Sequence, residues 1–361
     1  MGKSHYIIPI FVPHEGCPHN CVFCNQNSIT GMDSSVTAEH VDSIVKEYLS
    51  TIVRDNSTVE VSFFGGTFTA INYKKQEELL AVAYQYKKLG FVDYIRLSTR
   101  PDCIDEATLD RLKKYSVDII ELGVQSMDDE VLKLSGRGHV KEDTIKASRL
   151  IKEYGFTLGH QLMIGLPGDN HTKDIKSALE CIELQPDMFR IYPALVLKDT
   201  PMERMYEQGI YKPYSLKQAV EISKDIYSLL IFNNIKILRV GLQATENIAE
   251  GRDIVTGPYH PAFRELVEGT IYSETIKEEL DNISSEVKVL INWKDISKLY
   301  TNKKEIFNDM KKQLTTQKLT IEAAHETMQG SLVFHTNDRC WNVSIEEHIA
   351  RKVKEGIIPN L

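Results

Sequence analysis

Three thiols fall within eight residues, in Gly16-Cys17-Pro18-His19-Asn20-Cys21-Val22-Phe23-Cys24. The spacing C-x3-C-x2-C on a loop can turn three thiolates toward one metal centre, and each must lose its proton to bind. Three Cys suit a 4Fe–4S cluster that keeps one iron open for a small chelating ligand. A structural zinc with His14 or His19 as fourth ligand is the alternative, since zinc normally fills four positions. Plain reduced thiols are a third reading. Cys103, Cys181 and Cys340 are scattered and read as ordinary small buried residues.

Other polar or glycine-rich strings follow short apolar runs. Gly65-Gly66-Thr67 allows positive φ and close backbone approach to a ligand, although glycine pairs also mark plain turns. Arg100, in Ser98-Thr99-Arg100-Pro101-Asp102, and Gln125, in Glu121-Leu-Gly-Val-Gln-Ser, suit a carboxylate and sugar hydroxyls. Arg137 lies in Ser135-Gly-Arg-Gly-His139, where a solvated loop Arg is the bland reading, and Gln161 precedes Gly165-Leu-Pro-Gly168. Tyr192 and Arg190 sit on a further strand end and are the candidate catalytic pair, Tyr as a proton or radical relay. His14, His19 and His139 flank the same region as candidate acids or bases, and His260, before Pro261, reads as a turn residue.

The elements that must position these residues alternate. Apolar, β-branched runs at 6–12, 59–64, 94–98, 118–124, 157–164, 189–193 and 235–240 predict strands. Helical periodicity separates them at 38–53, 76–88, 106–115, 141–154, 173–184 and 216–232. Strand–helix repetition implies a parallel sheet, and six units fall short of the eight of a closed barrel. The fold class expected is α/β, a partial (β/α)6 TIM-type barrel with a small C-terminal α/β appendage. A doubly wound sheet is the rival, but no G-x-G-x-x-G follows the first strand. The expected domains are 1–245 and 246–361.

The chain has 361 residues, 42% of them hydrophobic, enough for a sizeable core, which excludes disordered and disulfide-scaffold classes. Its net charge of −8 argues against a wholly basic nucleic-acid coat. The run 6–12 is short and broken by Pro9, so neither a leader nor a membrane span is expected, and the chain reads as cytoplasmic.

With the cysteine spacing and these strings in place, the sequence resembles the radical SAM superfamily. The resemblance implies that Cys17, Cys21 and Cys24 bind three irons of a 4Fe–4S cluster and that S-adenosylmethionine (SAM) chelates the fourth. An electron would then cleave SAM to a 5′-deoxyadenosyl radical, so an external electron donor is implied. It further implies Phe23 beside the adenine, Gly65, Gly66 and Thr67 at the SAM amino group, and Arg137 at its carboxylate. Arg100, Gln125 and Gln161 would complete the SAM contacts. Within the superfamily, Gly65-Gly-Thr-Phe, Thr99-Arg-Pro-Asp, Glu121-Leu-Gly-Val-Gln-Ser, Arg137-Gly-His and Arg190-Ile-Tyr-Pro look like the elongator catalytic subunit family. That branch implies modification of carbon 5 of a wobble uridine in tRNA. The similarity stops near residue 245, and no R/Q-x-x-G-x-G/A loop follows, so a radical SAM part without an acetyltransferase domain is expected.

A partner would need a surface. Lys-rich 287–318, with Trp293, Tyr300 and Phe307 interleaved at seven-residue spacing, fits loop RNA, or equally a solvated helix face over core aromatics. Acidic 241–285 beside it would repel phosphate. The alternatives to tRNA modification are a small-molecule oxidation resembling coproporphyrinogen dehydrogenation and a non-enzymatic zinc- or cluster-binding RNA module.

Overall fold

Six strands alternate along the first part of the chain: β1 (His5–Val12), β2 (Thr58–Gly65), β3 (Tyr94–Thr99), β4 (Ile119–Gln125), β5 (Thr157–Ile164) and β6 (Met188–Pro193). The structure, a computed structural model, describes residues 5–12, 17–25, 36–53, 57–242 and 252–359. They group into two compact units, residues 1–213 with 243–257, and residues 214–242 with 258–361. The units interleave in sequence.

In the first unit β1 to β6 each pair with the next in chain order, and all five of these pairs are parallel. A doubly wound sheet would reverse its order part way. The sequential order is that of a partial (β/α)6 barrel, as the alternation predicted. Helices Ala38–Thr51, Tyr73–Lys88, Glu106–Lys114, Lys141–Glu153 and His171–Glu183 fill the crossovers. Four of them start at capping side chains, with Thr37, Asn72, Asp105 and Asn170 each accepting a first-turn amide N–H.

The two-residue period of a strand sorts its side chains by face. Ile8, Ile10, Val59, Val61, Phe63, Ile95, Leu97, Ile120, Leu122, Leu158, Leu162, Phe189 and Ile191 are fully buried, the apolar set of that alternation. The opposite parity carries Glu60, Ser62, Phe64, Arg96, Ser98, Glu121, Gln125, Gln161, Arg190 and Tyr192. That parity lines the concave side of the sheet, where the polar candidates collect.

In the second unit, helices Leu216–Phe232 and Phe263–Glu279 pack together and against helix Ile345–Lys354. Lys224 and Lys352 bridge them, both bonding to Glu274. This explains why 214–242 groups with the C-terminal part. A four-stranded sheet follows in the order Leu319–Ala324, Val287–Asn292, Ser331–His335, Cys340–Ser344, its first pair parallel and the others antiparallel. The first and last of these strands were not expected from the sequence. No helix among the described residues is long and apolar enough to cross a membrane.

Candidate active site

The cysteine loop leaves β1 and is pinned to the barrel by its backbone. Val22 N–H donates to the Ser135 carbonyl at 3.0 Å, and Met202 N–H donates to Val22 at 2.9 Å. Asn25 adds a side-chain bond to the Lys198 carbonyl, and Cys24 N–H closes a turn onto Cys21 O at 3.1 Å. None of the six cysteines is in a disulfide, and Cys17, Cys21 and Cys24 are all half-buried. Cys17 Sγ lies 3.3 Å from Thr67 Oγ1, which joins the loop to the end of β2. Among the described residues, no three His, Cys, Asp or Glu side chains converge to hold a single metal ion. Phe23 packs with Val22 against the buried cluster of Val131, Leu166, Val196 and Met202. His14 lies outside the described residues.

Two glycine-lined approaches bring backbone to this loop. Gly65 has φ of 107°, and a Cβ there would stand 2.8 Å from the Val12 carbonyl oxygen, so only glycine fits. The adjacent Gly66 N–H donates to that carbonyl at 2.7 Å. In Ser135-Gly-Arg-Gly, both glycines also take positive φ. A Cβ on Gly136 would meet Asn20 O at 3.0 Å, and one on Gly138 would press into the His19 ring. The string therefore carries Arg137 directly onto the cysteine loop.

Arg137 is buried and its guanidinium faces three ways. Nη1 donates to Cys21 Sγ at 3.4 Å, Nη2 donates to the Gly123 carbonyl at 2.6 Å, and Nε has no partner among the described residues. Its own carbonyl accepts from Arg100, whose fork also grips Asp102 at 2.9 and 2.8 Å. Burial pushes the Asp102 carboxyl up, but Arg100 more than offsets it and holds it below the usual carboxylate range. Arg100 is thus engaged with the protein itself, a role the sequence did not suggest. At a register shift between Gly123 and Gln125, Gln125 takes φ of 67°, and its buried Oε1 has no partner among the described residues. Burial, with the charges of Arg137 and Arg100, lowers the His139 pKa to about 3, which removes it as an acid at neutral pH.

Deeper on the concave side, charges cross the sheet from strand to strand. Glu60 on β2 bonds Arg96 on β3, Arg96 bonds Glu121 on β4 at 2.6 Å, and Glu121 bonds Arg190 on β6. Gln161 on β5 donates to Glu121 at 2.9 Å and to Ser98 at 3.4 Å. Gly159 makes room, since a Cβ there would sit 2.8 Å from Glu121 Cγ. Burial raises the Glu121 carboxyl, yet Arg190 and Arg96 together hold it below the usual carboxylate range. Arg190 also reaches Tyr192 Oη at 3.5 Å, so the two residues singled out as a pair do touch. Glu60, Arg96 and Asp102 were missed. Their one signal in the sequence was a charge inside an otherwise apolar strand run, or next to a proline turn.

Other expected residues resolve differently. Cys181 is buried, but Cys103 is half-buried and Cys340 exposed, because Cys340 starts the last strand of its sheet. His260 is a turn residue whose Nδ1 accepts from Ala262 N–H at 3.1 Å. Residues 287–318 form a strand and short helices, so the seven-residue aromatic spacing marks no single helix face. Phe307 is buried against Tyr300, and Trp293 is half-exposed beside Lys294 and His325.

Residues 11–182 match the model of the radical SAM superfamily, and residues 186–273 match that of a radical SAM C-terminal domain. A tRNA uridine(34) acetyltransferase of Methanocaldococcus jannaschii is 29% identical over 255 residues, 60% of this chain and 47% of that protein. An uncharacterized protein of the same organism is 30% identical over 220 residues, 58% of this chain and 67% of that one. Among solved structures, Methanocaldococcus infernus Elp3 with an N-terminal deletion superposes with a TM-score of 0.56 at 24% identity, covering 78% of this chain and 64% of that one. The chain spans about half the length of the first two curated relatives it matches.

Proposed function

Because this chain belongs to the radical SAM superfamily, whose members use a 4Fe–4S cluster and SAM, we propose that it is a radical SAM enzyme acting on tRNA, with residues 1–245 as its radical SAM part. When bound, the cluster and SAM supply an electron transfer that cleaves SAM to a 5′-deoxyadenosyl radical, which takes hydrogen from the substrate. The residues present suit that pair of groups. Three cysteines outside any disulfide share one loop, Gly65 is pressed too close to a carbonyl for any Cβ, and buried Arg137 Nε and Gln125 Oε1 have no protein partner among the described residues.

In this reading Cys17, Cys21 and Cys24 hold the cluster. Gly65, Gly66 and Thr67 present backbone to the SAM amino group, and Arg137 Nε, the one nitrogen left over, takes its carboxylate. Gln125 and Gln161 offer amides to the ribose, and Phe23 gives an apolar wall to the adenine. Arg100 acts through Arg137 as a positioning residue. Arg190 and Tyr192 face the substrate, with Glu121 fixing the guanidinium. The single observation that carries the reading is Arg137, which reaches a cluster cysteine with one nitrogen and leaves another buried and unpaired.

The substrate proposed is tRNA, modified at carbon 5 of a wobble uridine, with an external electron donor and a cytoplasmic location. The support is the relative named a tRNA uridine(34) acetyltransferase and the elongator-like strings. Nucleoside mass spectrometry of tRNA from cells with and without the gene tests it. Loss of one modified uridine on deletion is the expected result. An unchanged profile would move the substrate to a small molecule, and one bound zinc in place of the cluster would remove the enzymatic reading.

A further inference from the structure

We infer that Arg137 tunes the reduction potential of the cluster, independently of any contact it makes to SAM; the inference rests on the reading of the cysteine loop as the cluster site. The observation is the Nη1–H···Sγ contact to Cys21 at 3.4 Å. Reduction adds a negative charge to the cluster, spread over its sulfurs. An N–H donor and a fixed positive charge at a ligating sulfur stabilise the reduced form more than the oxidised one, which raises the potential.

Two features make this contact a built one. The guanidinium is held from behind, with Nη2 on the Gly123 carbonyl at 2.6 Å and the Arg137 carbonyl bonded by Arg100, itself clamped to Asp102. Gly136 and Gly138, both at positive φ, let the string lie against Asn20 and His19 closely enough for the side chain to reach Cys21. Burial strengthens the effect, since Arg137 is 6% exposed and little water stands between charge and sulfur. A lysine there would keep the charge but lose the fork that bonds Cys21 and Gly123 together.

The test uses the reconstituted 361-residue chain without SAM, so that cofactor binding does not enter. In an electron paramagnetic resonance redox titration, Arg137→Gln should lower the reduced-to-oxidised ratio at a fixed poise about tenfold, 59 mV more negative for a one-electron couple. Arg137→Lys should fall between the two. A second measurement needs no variant: with 15N-arginine incorporated, the reduced wild-type cluster should show a 15N hyperfine coupling. If Arg137→Gln assembles no cluster, the midpoint of Arg137→Lys decides, and it should lie below that of the wild type. An unchanged midpoint in the variant, or no 15N coupling in the wild type, overturns the inference and leaves the proposed function standing. A wild-type protein that assembles no 4Fe–4S cluster overturns the proposed function itself.

Discussion

Arg190 grips Glu121 through two parallel hydrogen bonds, Nε to Oε2 at 2.6 Å and Nη2 to Oε1 at 3.0 Å. The same carboxylate accepts from Arg96 and Gln161, so four strands of the barrel meet at one buried group. Neutralising it would take the carboxylate from half-buried Arg190 and leave buried Arg96 with Glu60 alone. Glu121→Gln should therefore destabilise the fold by about 3–5 kcal/mol, the usual cost of breaking a buried pair from one side. Urea titration checks it, with the midpoint falling and the m-value unchanged.

How much of this was legible in the sequence depends on whether the signal was local. The polar parity of β2 to β6 could be read from Thr58-Val-Glu-Val-Ser and Tyr94-Ile-Arg-Leu-Ser, because a strand alternates residue by residue. The pairing of Glu60 with Arg96, and of Glu121 with Arg190, could not, since it depends on register between strands far apart in the chain. The cysteine spacing, the glycine pair and Arg137 were visible as strings. The grip of Arg100 on Asp102 and on the Arg137 carbonyl needed the turn geometry. Helix 216–232 groups with the C-terminal part through helix packing and the Lys224–Glu274 ion pair, long-range contacts that no periodicity reveals.

Two glycines with positive φ separate strain from collision. Gly90 has φ of 78° and open space around its Cβ position, so Gly90→Ala should cost about 1–2 kcal/mol, the left-handed penalty alone. Gly65→Ala adds a collision with the Val12 carbonyl, a backbone atom that cannot swing aside. It should cost more in urea titrations, and isothermal calorimetry on reconstituted protein should show weaker SAM binding for Gly65→Ala only.

Acid sensitivity should follow His160. Its ring is fully enclosed beside Ser148 Oγ at 2.9 Å, and burial lowers its pKa from 6.5 to about 3. Between those values the unfolded chain binds a proton that the folded chain refuses. The histidine is neutral in both states above about 6.5, and stability falls as pH drops below that, by about 1.4 kcal/mol per unit. His160→Gln should remove about one proton from the pH dependence of urea midpoints between pH 6.5 and 4.5. Glu121 acts in the same direction at lower pH. Its depressed pKa adds stability above the ordinary carboxylate value of 4.5, lost as pH falls through the folded value.

Asp102 should matter to SAM without touching it. Asp102→Asn loosens the fork of Arg100 that holds the Arg137 carbonyl. The SAM dissociation constant should rise about tenfold, as expected when a charged hydrogen bond worth about 1.5–3 kcal/mol is weakened. Iron content should stay at the wild-type level, since the three cysteines are unaltered.

The most direct measurement of the central claim is 5′-deoxyadenosine release. Anaerobically reconstituted protein with about four irons per chain, given SAM and a strong reductant, should produce 5′-deoxyadenosine, and Cys24→Ala should abolish it. No 5′-deoxyadenosine from the iron-loaded wild-type protein, or an equal yield from Cys24→Ala, would contradict the account.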